Sequence, residues 1–201
     1  FTIKNYIIPM GAAIWSTSPS MMLEMPALFF IKFLKNHGLL TIFDRPQWKV
    51  VKGGSKSYVN RLIQPFLNQI HTNAKIKSVK RQKNYIELKG DEFSEKFDKV
   101  VIATHSDQAL DLIENPKSNE LDILSKIKYQ KNSATIHTDT SILPKRKKAW
   151  SSWNYLSSNN SKNVILTYNM NILQKLKSPE TFCVTINDPG LVDESKIIKK
   201  I

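Results

Sequence analysis

The stretch from Lys99 to Thr104 constrains the fold of this chain more than any other. It contains the continuous apolar run Val-Val-Ile, with no alternation between polar and apolar residues. Such a run is typical of a strand buried on both faces of a parallel sheet. The strand would end in the small residues Ala103 and Thr104 at the carboxyl edge of the sheet, where doubly wound folds bind nucleotides. The stretch therefore predicts an α/β core with a ligand at this edge.

A helix is predicted directly after this strand, and a small antiparallel sheet directly before it. His105-Ser106-Asp107 opens the helix, with Ser106 as the expected N-cap. The preceding strand-like runs are separated by turn-sized gaps, one of which contains Gly90-Asp91. They predict a three-stranded meander over residues 75–81, 85–89 and 93–97.

A pair of glycines, Gly53 and Gly54, stands between two further predicted elements. A short strand is expected at residues 48–52, before the glycines. A helix is expected to follow them, with Ser55 as its N-cap. Pro65 should kink or divide this helix.

The remainder of the chain alternates between helical and extended patterns. Residues 7–38 are predicted to be helical, with Gly38 as the C-terminal cap. The apolar part at 27–34 should be buried or line an apolar cavity. Further strands are predicted at 133–138, 164–169 and 182–187, and further helices at 119–127, at 171–176 and from Glu194 onward. The fold class is thus α/β in its central part and α+β overall.

The charge of the chain raises the question of nucleic acid. The 201 residues carry a formal net charge of +13, from 30 Lys and Arg against 17 Asp and Glu. Only Arg45, Arg61, Arg81 and Arg146 are arginines, whereas recognition of phosphates and bases favours the planar guanidinium. We therefore interpret the lysines as solvated surface residues and expect no nucleic-acid partner. A basic module that binds nucleic acid or an anionic membrane surface is the alternative.

The single cysteine, Cys183, excludes a disulfide within the chain. This favours a reducing compartment, and we expect the protein in the cytoplasm. The apolar neighbours of Cys183 predict a buried structural thiol. The longest apolar stretch, at 25–34, is far short of the roughly 20 residues that span a bilayer. No transmembrane segment is predicted, and peripheral contact with a membrane stays open.

Neither a metal site nor a hydrolytic triad is predicted. The four histidines, His37, His71, His105 and His137, have no close ligand spacing. Ser106 lies between His105 and Asp107 in sequence, and such neighbours cannot form a triad.

Four aromatic residues are candidates for the wall of a substrate cavity: Trp15, Trp153, Tyr155 and Tyr168. Aromatic walls suit apolar substrates and exclude water. Packing in the core explains these four residues equally well.

Three segments together carry a resemblance to a known family. They are Lys49-Val-Val-Lys-Gly-Gly-Ser-Lys-Ser-Tyr-Val-Asn-Arg-Leu, Ala74-Lys-Ile-Lys-Ser-Val-Lys-Arg and Phe97-Asp-Lys-Val-Val-Ile-Ala-Thr-His-Ser-Asp-Gln-Ala-Leu. In this order they resemble the flavin-containing amine oxidase and phytoene-desaturase-like superfamily. The sequence around Asn36-His37-Gly38 and Arg45-Pro46-Gln47-Trp48 is similar to that of bacterial predicted NAD/FAD-binding proteins of the amine-oxidase type. Each motif is weak alone, and their order and spacing make the resemblance specific.

The resemblance implies FAD as the cofactor and hydride transfer from an organic substrate to flavin. The apolar helices predicted at 20–38 favour a hydrophobic substrate. It implies that the backbone at Ile76 meets the adenine end of FAD and that Ala103 and Thr104 lie near the cofactor. Gly53 and Gly54 are expected to form a tight turn before the helix, with cofactor contact as a further expectation. No catalytic residue is assigned, because the cofactor performs the redox chemistry.

The resemblance also divides the chain into three functional parts. Residues 1–45 would be a helical substrate-cavity segment, 46–105 a portion of an FAD/NAD(P)-binding Rossmann-like domain, and 106–201 a portion of a mixed-sheet substrate domain. The family's Gly-x-Gly-x-x-Gly phosphate loop does not occur in the sequence. We therefore expect an internal fragment that does not hold FAD by itself.

Overall fold

The chain forms two compact units. The computed structural model describes residues 1–44, 46–156 and 165–201. The first unit comprises Phe1–Arg61 and Lys131–Ile201, and the second comprises Leu62–Gln130. Each unit combines helices with one antiparallel sheet. The α+β character expected for the whole chain is thereby confirmed.

The first unit begins with three short helices. A π-helical turn at Ile3–Ile7 continues into α1 (Ile8–Trp15), which is followed by α2 (Pro19–Glu24) and α3 (Ala27–Asn36). The predicted helical region is therefore interrupted. Ser16 adopts a left-handed conformation with φ 48° at the end of α1, and the Ser18 hydroxyl accepts a hydrogen bond from Met21 N to begin α2. Gly38, at φ +66°, ends α3 as predicted.

A five-stranded antiparallel sheet forms the other half of the first unit. Its strands are β4 (Ala134–His137), β5 (Trp153–Leu156), β6 (Ile165–Asn169), β7 (Cys183–Ile186) and β8 (Ile197–Lys200), in the order β5-β6-β7-β4-β8. Between β6 and β7 lies α7 (Met170–Gln174). Strands β4, β6 and β7 confirm the strands predicted at 133–138, 164–169 and 182–187. Residue 164, the first of the second predicted strand, lies outside the described residues.

The helices pack on one face of this sheet. Ala12 and Ala13 of α1 and Met22 of α2 form a buried apolar cluster with Leu166 of β6. Leu166 is paired in register with Tyr155 on one side and with Ile186 on the other. Because cross-strand partners share a face, this face of β5, β6 and β7 is the one that covers α1.

Two predictions for the first unit are wrong. The residues after Glu194 form a short 3₁₀ turn and then strand β8, not a helix. Lys199 and Lys200 pair with β4, and these ladder hydrogen bonds outweigh a weak helical pattern. Residues 48–51 form no strand either, and Trp48 is 67% exposed. No neighbouring strand among the described residues pairs with them.

The second unit contains the predicted meander. Strands β1 (Ser78–Arg81), β2 (Ile86–Lys89) and β3 (Ser94–Phe97) pair antiparallel in sequence order. The helices α5 (Ser106–Leu112) and α6 (Ser118–Leu124) follow. Arg81 joins β1 to α6 through two hydrogen bonds of 2.7 and 2.8 Å to the Glu120 carboxylate.

The predicted helix after the glycines is also present. Helix α4 runs over Ser55–Ile63, and the boundary between the two units falls within it. A 3₁₀ helix at Gln64–Gln69 follows, with Pro65 in its first turn. The expected division at Pro65 is thereby confirmed.

The parallel strand predicted from Lys99 to Thr104 is wrong in this structure. Residues 99–103 have no regular structure, and Val101 is 90% exposed. Among the described residues both sheets are antiparallel, so no parallel ladder is available to this run. The parallel bridge of the second unit joins Val79 to Ile113 instead.

Within the described ranges, no helix is both long and apolar enough to cross a lipid bilayer.

Candidate functional site

The edge strand β5 brings two of the predicted aromatic residues to one face of the sheet. Trp153 and Tyr155 are two residues apart, so their side chains point to the same face. They pair in register with Tyr168 and Leu166 of β6. The rings of Trp153 and Tyr168 meet edge to face, with centroids 5.4 Å apart. Three of the four predicted cavity residues are therefore neighbours on this face.

A first cavity, here called the helix-side cavity, lies between α1 and these strands. Its volume is about 360 Å³. It is lined by Asn5, Tyr6, Pro9, Met10, Ala13, Ile14, Trp153, Tyr155 and Leu166. Most of these side chains are apolar or aromatic, which suits an apolar ligand.

A second cavity, here called the loop-side cavity, lies between β5 and the loop that precedes it. Its volume is about 640 Å³. It is lined by Ser141, Ile142, Leu143, Pro144, Lys145, Ala149, Ser151, Trp153, Asn154, Tyr155, Leu156 and Leu191. Trp153 and Tyr155 line both cavities, so β5 is the element that the two cavities share.

The two tyrosines of this region are poor acids. Burial raises the pKa of Tyr155 and the pKa of Tyr168 above the usual value of a phenol. Both hydroxyls therefore stay protonated at neutral pH and remain hydrogen-bond donors.

Trp15, the fourth predicted cavity residue, lies in a different environment. Its ring is 6.0, 5.8 and 4.6 Å from the rings of Phe29, Phe30 and Phe33 of α3. The indole also packs against the apolar cluster between the helices and the sheet. Packing between α1 and α3 accounts for this residue.

Gly53 and Gly54 form the tight turn that precedes α4. Their φ angles are +83° and +73°, a region that residues with a Cβ rarely adopt. Gly54 N donates to Val51 O at 3.0 Å, and Ser57 N donates to Gly54 O at 3.2 Å. Gly53 is exposed and Gly54 is half-buried, so the backbone of the turn is accessible to a ligand.

The other three predicted cofactor residues lie in the second unit. Ile76 is half-buried and precedes β1. Ala103 and Thr104 are exposed and precede α5. The Thr104 hydroxyl donates to His105 O at 3.0 Å. These positions combine small or apolar side chains with accessible backbone.

The run His105-Ser106-Asp107 has a structural role. His105, not Ser106, is the N-cap residue of α5, so the predicted cap is wrong by one position. The Ser106 hydroxyl donates to Ile127 O at 3.3 Å, and the His105 ring stacks on Tyr129 with centroids 4.1 Å apart. These contacts fix α5 against the segment after α6.

No group of three metal-ligating side chains lies close together within the described parts of the chain.

A buried polar network crosses the opposite face of the five-stranded sheet. His137 is fully buried, and its Nε2 atom lies 2.7 Å from Thr185 Oγ1. Thr185 Oγ1 is 2.8 Å from Thr167 Oγ1. Burial lowers the pKa of His137 and keeps the ring neutral. Burial and the nearby Asp139 carboxylate raise the pKa of Cys183 to about 11, so the thiol is protonated and unreactive.

Asp139 joins two segments next to this network. Its buried carboxylate accepts hydrogen bonds from Ser141 N and Oγ and from Asp193 N, each at 3.0 Å. Burial raises the pKa of Asp139, but these hydrogen bonds together outweigh burial and lower the pKa well below its usual range. Reasoning from sequence missed this role, because the partner Asp193 is 54 residues away.

Comparison with known proteins gives a family and a related fold. The sequence model of the flavin-containing amine oxidoreductase family matches residues 4–192. No curated protein has a significant match to this chain. The crystal structure of a CLA-producing fatty acid isomerase from P. acnes superposes with a TM-score of 0.51 at 15% identity. The match covers 74% of this chain and 38% of the isomerase chain, so the present chain spans well under half of that protein.

The likeness to the isomerase shows a common fold alone, because the identity is low. The family match extends over nearly the whole chain, with the glycine turn and the meander in the order that the sequence indicated. The chain therefore belongs to the flavin-containing amine oxidoreductase family.

Proposed function

We propose that the chain is part of an FAD-dependent oxidoreductase in which a hydride passes from an apolar organic substrate to flavin. Membership of the family implies a flavin cofactor. The helix-side cavity is the observation that supports an apolar substrate, because aromatic and aliphatic side chains make up most of its wall. The structural neighbour is a fatty acid isomerase, which is compatible with such a substrate.

The residues of this chain fit a flavin nucleotide only in part. The six glycines of the sequence form no Gly-x-Gly-x-x-Gly loop, so no residue here is assigned to the pyrophosphate. The accessible backbone at Gly53-Gly54, the half-buried Ile76 and the exposed Ala103 and Thr104 suit close approach of a ligand. We propose that each of these positions contacts FAD in the complete protein, as the family resemblance implies.

The role of the helix-side cavity is to bind the substrate and exclude water. Trp153 and Tyr155 offer flat apolar surface, and Ile14 of α1 closes the cavity from the other side. Exclusion of water strengthens electrostatic interactions at a reacting centre and prevents side reactions. A flavin, when bound, supplies the redox chemistry. In this proposal residues between 5 and 14 contribute the helical wall, and Trp153, Tyr155 and Leu166 contribute the sheet wall.

The proposal is tested by expressing the complete reading frame that contains this chain. The purified protein should show a flavin absorption spectrum, and an apolar substrate should bleach it under anaerobic conditions. Ile14→Trp fills the helix-side cavity and should lower kcat/KM at least about 10-fold with the flavin content unchanged. The matched control is Ile3→Trp, at a position that is 60% exposed and outside the cavity wall. A correctly folded but colourless protein would overturn the proposal, and so would an unchanged Ile14→Trp enzyme.

A further inference from the structure

The loop-side cavity combines an apolar interior with a basic rim. Leu143, Leu156 and Leu191 contribute aliphatic wall. Leu143 is buried, whereas Leu191 is 53% exposed. A volume of about 640 Å³ falls within the range of small-molecule sites. The cavity is thus large enough for a ligand and apolar enough to bind its hydrocarbon part.

Lys145, at the rim of the cavity, begins a run of four successive basic residues, Lys145-Arg146-Lys147-Lys148. Lys145 itself lines the cavity, and all four residues are exposed. The sequence has no Asp or Glu from Thr140 to Pro179. The basic run is therefore not neutralised by acidic residues of its own segment.

The basic loop is held in place by its own hydrogen bonds. The Trp150 indole Nε1 donates to Pro144 O at 2.8 Å, across the four basic residues. Ala149 N donates to Arg146 O at 2.8 Å, and Trp150 N donates to Lys147 O at 3.1 Å. Lys147 Nζ lies 5.8 Å from the centre of the Trp150 ring, a cation–π distance. The cationic side chains thus project from an ordered loop.

Two carboxylates close in sequence to the cavity walls, Asp139 and Asp188, are engaged elsewhere. Asp139 points inward, with its oxygens bonded to Ser141 and Asp193 backbone and to Lys196 Nζ at 3.4 Å. Asp188 accepts from Gly190 N and Leu191 N. Because Asp139 bonds to Ser141 on one wall and to Asp193 beside the other, it also holds the two walls together. The cationic rim keeps its charge available for a ligand.

We propose that the loop-side cavity binds an amphipathic organic anion, with the hydrocarbon part against Leu143, Leu156 and Leu191 and the acidic head at Lys145 and the basic run behind it. A carboxylate and a phosphate offer the same chemistry to lysine, namely an anionic oxygen acceptor on an apolar chain. Binding of such an anion does not depend on flavin. It concerns a site that the proposed oxidoreductase function does not use.

The test measures binding of three probes by isothermal titration calorimetry with the complete protein. The probes are decanoate, decyl phosphate and the neutral analogue decanol, each below its micelle concentration. We expect decanoate or decyl phosphate to bind at least about 10-fold more tightly than decanol and to weaken as salt is raised. Tighter binding of decanoate identifies a free acid as the better ligand, and tighter binding of decyl phosphate identifies a phosphate ester; both support the proposal. Equal affinity for decanol, or no binding of either anion, would overturn it.

Two sets of variants place the binding in this cavity. The quadruple change Lys145→Gln, Arg146→Gln, Lys147→Gln and Lys148→Gln should lower anion affinity at least about 10-fold. Its matched control, Lys52→Gln, Lys56→Gln, Lys83→Gln and Lys128→Gln, removes the same charge from exposed positions elsewhere and should leave the affinity nearly unchanged.

Leu191→Asp gives a second test that does not rely on the basic loop. Leu191 is half-exposed, so the substitution should be tolerated in the fold while it places a negative charge in the wall. Anion affinity should fall at least about 10-fold. Ile14→Trp in the helix-side cavity should leave the anion affinity unchanged. Loss of binding with Ile14→Trp, but not with Leu191→Asp, would overturn the proposal and would leave the oxidoreductase function untouched.

Discussion

His137 donates a hydrogen bond through Nε2 to Thr185 Oγ1, 2.7 Å away in the interior of the five-stranded sheet. The direction follows from the other ring nitrogen. His137 Nδ1 lies 3.1 Å from Asp139 N, which donates to it, so a neutral imidazole carries its proton on Nε2. Thr185 Oγ1 then accepts from His137 and shares a second hydrogen bond of 2.8 Å with Thr167 Oγ1, in which either hydroxyl can donate. Three strands, β4, β7 and β6, are thereby joined by side chains.

We predict that the first unit loses stability in mild acid through His137. Burial lowers the pKa of His137 in the folded state from its ordinary value of 6.5, so protons bind the unfolded chain more readily. The free energy of unfolding should be constant above pH 6.5 as far as His137 is concerned, and should fall as the pH decreases from 6.5 toward the folded pKa. Denaturant unfolding at pH 8, 6 and 5 measures this effect. In His137→Gln the free energy of unfolding should decrease less between pH 8 and 5 than in the unsubstituted protein. The control is His71→Gln, at an exposed position, which should behave like the unsubstituted protein. An equally large decrease in His137→Gln would refute the role of His137.

The direction of the hydrogen bonds predicts unequal effects of two threonine substitutions. Thr185→Val leaves the buried His137 Nε2–H without an acceptor, and should lower the free energy of unfolding by about 1–3 kcal/mol. Thr167→Val removes one partner of the Thr185 hydroxyl, but keeps the bond from His137. Thr185→Val should therefore be the more destabilising of the two. A larger effect of Thr167→Val would contradict the assignment of His137 as the donor to Thr185.

Glu120 should stabilise the second unit in a pH-dependent way. Hydrogen bonds from Arg81, and then from Lys117 N at 2.7 Å, lower the pKa of Glu120 from 4.5 to about 2. The contribution of Glu120 to folding is therefore complete above about pH 4.5 and is lost as the pH falls toward 2. Glu120→Gln should make acid unfolding of the second unit less steep over this window. Glu95→Gln, on the exposed strand β3, is the control and should retain the steepness.

The indole of Trp150 should protect the basic loop from proteolysis. Trp150→Phe keeps an aromatic ring but removes the hydrogen bond to Pro144 O, and should lower the free energy of unfolding by about 0.5–1.5 kcal/mol. Trypsin cleaves after lysine and arginine, so cleavage within 145–148 should become faster. The exposed Trp48→Phe is the matched control. Unchanged cleavage of Trp150→Phe would show that the indole does not restrain the loop.

Elements whose partners are near in the chain could be predicted from local residue patterns. The meander at β1, β2 and β3 was predictable because alternation and short turns act within about 20 residues. The turn at Gly53-Gly54 followed from glycine's tolerance of positive φ. The buried thiol of Cys183 followed from its apolar neighbours. The aromatic residues Trp153 and Tyr155 of β5, which line both cavities, could be named from residue type, although not told apart from Trp15, which packs on α3.

Elements whose partners are distant in the chain form only through contacts in the folded protein. Strand β8 exists because its backbone pairs with β4, whose paired residues lie 60 to 65 positions earlier in the chain. The Lys99-to-Thr104 run is not a strand here because no parallel neighbour among the described residues lies beside it. Local residue patterns do not encode such distant contacts. The same holds for the carboxylate of Asp139, which is shared between two loops, and for the cavities, which are lined by several elements.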